Sequence, residues 1–173
     1  VVVAVLGLDP TLEGEEGDTV ASPLGGDRVR IELPENQRAF LKELRQNSKK
    51  LILVVTGGSA LAIPEEHELA DAVIYAWYSG CEGGAALADL LFGDIAPSGR
   101  LPVTVPRRTE DLPAFNDYSM RGRTYKFTAV EPLYPFGFGL SYAKVAYESL
   151  TLSASLLKDG QSLEVTAKVR NTS

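Results

Sequence analysis

Leu51-Ile52-Leu53-Val54-Val55-Thr56-Gly57-Gly58 is an unbroken aliphatic run that ends in a threonine and a glycine pair. Five successive apolar residues with no polar alternation describe a strand covered on both faces, as in a parallel sheet. Two similar runs flank it. Val1-Val2-Val3-Ala4-Val5-Leu6 stops at Gly7 and Asp9-Pro10, and Ala72-Val73-Ile74-Tyr75-Ala76-Trp77 runs into Gly80, Gly83 and Gly84. Between the first two strands, Pro34 suits the first position of a helix. Phe40, Leu41 and Leu44 then form an apolar stripe at helical spacing that breaks near Asn47. After the third strand, Ala85-Ala86-Leu87-Ala88-Asp89-Leu90-Leu91-Phe92 reads as a helix closed by Gly93. Strands alternating with helices at these intervals predict an α/β fold, a mostly parallel sheet sandwiched by helices.

Beyond Gly93 the pattern changes. Pro97, Pro102, Pro106 and Pro113 break regular structure, and aromatic residues gather between Phe115 and Tyr142. Core packing and interface burial account for most such clusters, leaving one or two rings to stack on a ligand such as a sugar. Leu150 and Leu152, then Leu163, Val165, Ala167 and Val169, alternate with polar residues on either side of Asp159-Gly160. That spacing predicts a hairpin. Two strands alone are marginal in water, so the hairpin reads as the truncated start of a β-sandwich. The expected domains are therefore 1–143 and 144–173. Opening inside a strand without a methionine suggests a piece of something larger.

With 23 acidic and 17 basic residues the net charge is −6, and no basic stripe marks a nucleic-acid or anionic-membrane partner. The single cysteine, Cys81, leaves no intrachain disulfide framework or multi-cysteine metal site. The apolar runs fall short of the roughly 18 residues that a membrane-spanning helix needs. The opening run has no basic leader and no small-residue cleavage site after it.

The most chemical stretch is Asp9-Pro10-Thr11-Leu12-Glu13-Gly14-Glu15-Glu16-Gly17-Asp18. It follows a buried strand, and ligands of open α/β sheets gather at the carboxyl ends of strands. Clustered carboxylates raise one another's pKa, and a carboxyl kept protonated near neutrality can act as a general acid. A solvated acidic loop is the competing reading. An EF-hand fits poorly: Asp9, Glu13 and Gly14 match positions one, five and six, but Thr11 and Val20 occupy positions three and twelve. Gly80-Cys81-Glu82-Gly83-Gly84 could present amides to an anion or place a nucleophilic Cys81 at a helix start. A plain tight turn explains those glycines better. The only histidine, His67, stands in Glu65-Glu66-His67-Glu68, which reads as a solvated face rather than a catalytic base. No cofactor or metal is expected.

Several stretches taken in order resemble the C-terminal half of family 3 glycoside hydrolases. They are Leu12-Glu13-Gly14-Glu15-Glu16, Gly25-Gly26-Asp27-Arg28 leading to Glu32-Leu33-Pro34, and Tyr75-Ala76-Trp77-Tyr78-Ser79-Gly80 with Glu82-Gly83-Gly84. They continue with Leu91-Phe92-Gly93-Asp94, Pro97-Ser98-Gly99-Arg100-Leu101-Pro102, Arg123-Thr124-Tyr125 and Leu133-Tyr134-Pro135-Phe136-Gly137-Phe138-Gly139-Leu140-Ser141-Tyr142. Met120-Arg121-Gly122-Arg123-Thr124-Tyr125 is similar to the β-xylosidase and arabinosidase branch, while Cys81 departs from the glutamine usual there. The resemblance implies an α/β sandwich beside a TIM-like barrel, followed by a fibronectin-III-like domain that residues 144–173 would begin. It implies a retaining, exo-acting β-glycosidase acting on an oligosaccharide or aryl glycoside. The missing barrel, a partner within the same enzyme, would supply an Asp nucleophile and this domain the acid/base Glu. That Glu is expected to be Glu13, with Glu16 and Glu15 behind it, while Asp27 and Arg28 brace the loop. The chain alone would then be inactive, and an extracellular or periplasmic location fits the family. Two rivals remain: a non-catalytic carbohydrate-binding or interface domain, and a flavodoxin-like nucleotide-binding domain, which lacks a phosphate-loop lysine.

Overall fold

The computed structural model describes residues 1–14 and 28–173. Glu15, Glu16 and Asp27 lie outside the described residues. The chain folds as two compact units, one of residues 1–88 with 100–138 and one of 89–99 with 139–173.

In the first unit β1 (Val2–Gly7), β2 (Leu51–Thr56) and β3 (Ala72–Tyr75) form a parallel sheet in the order β1-β2-β3. Val3 pairs with Ile52 and Val5 with Val54, while Ile52 pairs with Ala72 and Val54 with Ile74. The central strand is as its sequence predicts, with Leu51, Leu53, Val54 and Val55 all buried. The expectation that β1 is covered on both faces is corrected. Ala4 is buried, yet Val3 is 43% and Val5 57% exposed. An edge strand gains cover from one neighbour only, and the helix that packs on β1 lies on the Ala4 face.

That helix is α2 (Glu35–Asn47), with Pro34 at its cap, one residue outside the position expected for it. Leu41 is fully buried and Leu44 packs beside the core, but Phe40 is half exposed, so it does not belong to the buried stripe. Gln37, one turn into the helix, turns inward to serve the sheet. Its Nε2 donates to the Gly7 carbonyl at 2.7 Å and its Oε1 accepts from the Gly7 amide at 2.8 Å. A backbone unit at the end of an edge strand is thereby satisfied by a side chain. Gly7 itself has φ +143°, and a Cβ there would lie 1.9 Å from the Thr56 carbonyl oxygen.

The acidic run read as a solvated face is a helix, α3 (Pro64–Leu69). His67 and Glu65 are exposed as expected, but Glu66 is only 2% exposed. Its carboxylate meets Arg38 Nε of α2 at 3.0 Å, which answers the charge that burial would otherwise leave uncompensated. Leu61 and Ile63 enter the core just ahead of α3. β3 stops at Tyr75, two residues short of the expected end, because Trp77 takes the left-handed conformation with φ +54°. α4 (Gly83–Phe92) follows and closes at Gly93, φ +84°.

Within residues 100–138 Val105 bridges to Tyr134, and both are buried in the core of the first unit. A short helix, α5 (Thr124–Phe127), begins at Thr124 with φ +57°. In the second unit β4 (Val145–Leu152) pairs antiparallel with β5 (Val165–Asn171), with a bulge between Tyr147 and Ser149. The hairpin is present, but Asp159-Gly160 is not its two-residue turn. It lies in a longer connection spanning 153–164, where Gln161 N donates to Lys158 O. Among the described residues no helix is long and apolar enough to cross a membrane.

Candidate active site

β1 leads through Leu8, whose amide bonds to the Thr56 carbonyl, into a single helical turn, α1 (Pro10–Glu13). Asp9 caps it: its Oδ1 accepts from the amides of Thr11 at 2.8 Å and Leu12 at 2.9 Å and from the Thr11 hydroxyl at 2.7 Å. These bonds, with Thr11 Oγ1 foremost, hold the Asp9 carboxyl below its ordinary value. Pro10 at the first helical position fixes the entry. The turn delivers Glu13 to the carboxyl ends of β2 and β3.

There Glu13 is met from both neighbouring strands. Its Oε2 accepts from the Gly58 amide at 2.8 Å and from the Tyr78 hydroxyl at 2.5 Å. Its Oε1 accepts from the Ser59 hydroxyl. Arg28 Nη2 stands 3.7 Å from Oε1 and donates to Ser59 Oγ at 2.6 Å. Gly58 permits the close approach: a Cβ there would lie 2.9 Å from Glu13 Oε2 and 2.9 Å from Tyr78 Cε2. Tyr78 follows directly on the left-handed Trp77, the kind of backbone strain that collects at functional sites.

Partial burial pushes the Glu13 carboxyl up, but Ser59, Tyr78, Gly58 and the Arg28 charge together outweigh it and hold the group below its ordinary value. Burial, and then donation to Glu13, push the Tyr78 phenol up to about 12, so it stays a donor at neutral pH. The cluster is an oriented anion with a pre-set hydrogen-bond shell, able to accept a proton and able to hold one only when its surroundings raise its pKa.

Of the three glutamates expected to carry the chemistry, Glu13 lies in this cluster and Glu15 and Glu16 lie outside the described residues. Arg28, expected to brace the loop, stands beside Glu13 and donates to Ser59. Ser59 and Tyr78 were missed as site residues. Their signal was placement, each just past the end of an apolar strand, although β3, expected to be buried, has Ala72 exposed and its other residues only partly covered. Cys81 is exposed and stands apart from these bonds. Among the described residues no three His, Cys, Asp or Glu side chains gather where they could hold a metal ion.

The aromatic residues serve several ends. The hydroxyl of buried Tyr134 lies 2.7 Å from His67 Nδ1, and its ring stacks on Phe138. Tyr142 donates to the Leu90 carbonyl. Tyr125 and Phe136 stack at 4.5 Å and line a cavity of about 440 Å³ that also takes in Arg123 and the strained Thr124, away from Glu13.

Comparison with known proteins adds to this geometry. Residues 1–142 match the model of the glycosyl hydrolase family 3 C-terminal domain. The chain is 46% identical over 167 residues to a xylan 1,4-beta-xylosidase of Xylanibacter ruminicola, covering 96% of this chain and 19% of that protein. It is 36% identical to a periplasmic beta-glucosidase of Salmonella typhimurium, covering 99% of this chain and 23% of that one. Among solved structures, a family 3 beta-glucosidase of Bifidobacterium adolescentis superposes with a TM-score of 0.76 at 31% identity, over all of this chain and 26% of that one. The chain thus spans about a fifth to a quarter of the length of these relatives.

Proposed function

This chain belongs to the glycosyl hydrolase family 3 C-terminal domain, and on that premise we propose that it is the part of a retaining, exo-acting β-glycosidase that supplies the acid/base carboxyl. The observation that carries the reading is Glu13, held at the carboxyl ends of three parallel strands by Gly58, Ser59, Tyr78 and Arg28. Glu16 and Glu15 stand behind it as candidates on sequence grounds. A barrel domain of the same enzyme supplies the Asp nucleophile about 5–5.5 Å away. That nearby negative charge, and the water its docking excludes, raise the Glu13 pKa toward what a general acid needs.

In the first step Glu13 gives its proton to the glycosidic oxygen as the C1–O bond breaks, and the nucleophile's carboxylate closes on C1 to form an ester. In the second, ionised Glu13 takes a proton from water, whose oxygen displaces the ester and restores the starting state. The higher identity to a named xylosidase than to a named glucosidase favours a terminal β-xylosyl residue in the substrate. Residues 1–143 form the α/β sandwich domain, and 144–173, with β4 and β5, begin a fibronectin-III-like domain.

One observation favours a second reading. Several donors on a single carboxylate, and the lowered pKa they produce, also suit an anchor in a non-catalytic interface or carbohydrate-binding domain. Leaving-group dependence separates the two. In the full-length enzyme, Glu13→Ala is expected to slow hydrolysis of an aryl β-xyloside with a poor leaving group by roughly 10²–10⁴-fold. Bond cleavage for a good leaving group suffers far less. Equal, small losses on both substrates would assign Glu13 to the anchor role.

A further inference from the structure

We infer that Tyr78 is a positioning residue for proton transfer: with Gly58 it saturates Glu13 Oε2 and leaves Oε1 as the oxygen that carries the catalytic proton. The inference rests on the reading of Glu13 as the acid/base group.

A carboxylate oxygen has two lone pairs. On Oε2 both are taken, one by the Gly58 amide at 2.8 Å and one by the Tyr78 hydroxyl at 2.5 Å. On Oε1 the described residues supply one hydrogen bond, from Ser59. Arg28 Nη2, at 3.7 Å, contributes charge there but stands beyond hydrogen-bond distance. Because Arg28 donates to Ser59 Oγ, the Ser59 proton is directed at Glu13 and not back toward the guanidinium. Among the described residues no second hydrogen bond reaches Oε1, and bonds on both oxygens fix the direction of its remaining lone pair. The donors come from two different strand ends, which is what a group needing fixed aim requires and what a merely solvated carboxylate would not have.

Among the described residues the charged and titratable groups around Glu13 are Tyr78 past β3, Arg28 on the returning chain, Asp9 at the head of α1, and Glu32, which acts on Arg28. Replacing Tyr78 by Phe keeps the ring and removes one donor to the anion while leaving the charges in place. The anion loses stabilisation, so the Glu13 pKa rises. A general acid must be protonated to work, so the basic limb of the kcat/KM profile moves to higher pH.

The test is made on the full-length enzyme with an aryl β-xyloside carrying a poor leaving group. Tyr78→Phe is expected to move the basic limb up by roughly 0.5–1 pH unit. It should also lower kcat about tenfold with KM little changed. Ser59→Ala should move the same limb in the same direction, and Ser59→Thr, which keeps the hydroxyl, should restore it. A Tyr78→Phe profile that falls in height with an unmoved limb would reduce Tyr78 to packing and overturn the inference. Glu13→Ala is run beside them. If it shows leaving-group dependence while Tyr78→Phe keeps the wild-type limb, only the positioning role fails. If Glu13→Ala lacks that dependence, the acid/base reading itself fails.

Discussion

The central strand β2 of the parallel sheet and the antiparallel pair β4–β5 are built from similarly apolar sequence but stand in opposite relation to water. Leu51, Leu53, Val54 and Val55 of β2 are buried, whereas Val145, Tyr147, Leu150 and Leu152 of β4 and Val165 and Val169 of β5 are all exposed. Burial on both sides fixes the register of β2, and with it the relative placement of the strand ends that gather Glu13, Ser59 and Tyr78. The hairpin's alternation describes a face that wants covering, and two strands cannot cover themselves. A strand's sequence states how much burial it is built for, and the surrounding chain decides whether it receives it.

The largest expected effect separates these regions directly. Leu53→Ala should cost about 2–5 kcal/mol in urea unfolding, since it opens a cavity in a closed core. Leu152→Ala should stay within about 0.5 kcal/mol, as exposed substitutions do. Equal costs would break the comparison. A smaller effect tests what holds the edge of the sheet. Gln37→Ala removes both bonds to Gly7 and should cost about 1–3 kcal/mol, while Glu43→Ala on the exposed side of the same helix should cost little.

The smallest effect is electrostatic and sharpens the account of the strand ends. The folded-state pKa of Glu13 lies below its ordinary value of 4.5, through burial outweighed by donation from Ser59, Tyr78 and Gly58 and by Arg28. Such a group contributes stability above the unfolded pKa and loses it as pH falls through the lower folded pKa. The drop in urea midpoint between about pH 6 and about pH 3 should therefore be shallower in Glu13→Gln than in the unsubstituted chain. It should not vanish, because Asp9, Glu32 and Asp71 are lowered too.

Much of the sheet was legible because hydrophobic runs bounded by glycine carry their own burial signal. The open side of β1 was not, since Val3 and Val5 look as apolar as Val54 and Val55 and only the neighbouring elements differ. Trp77 ended β3 early through a backbone conformation that no apolar pattern encodes. α3 stayed hidden because Glu66 reads as a surface charge until Arg38, 28 residues earlier, is brought against it. At the site, Glu13 announced itself as an acid following an apolar strand. Ser59 and Tyr78 lie 46 and 65 residues further along, and strand pairing, not local sequence, brings them to it.

The most direct test of Glu13 as the acid/base group is rescue by an external nucleophile. The full-length Glu13→Ala enzyme is given an aryl β-xyloside with a good leaving group, and turnover and products are followed with and without azide. With no base to activate water, the glycosyl ester should accumulate, and azide, which needs no base, should raise turnover and yield the β-xylosyl azide. Turnover indifferent to azide, with no glycosyl azide formed, would contradict the account and return Glu13 to the role of a structural anchor.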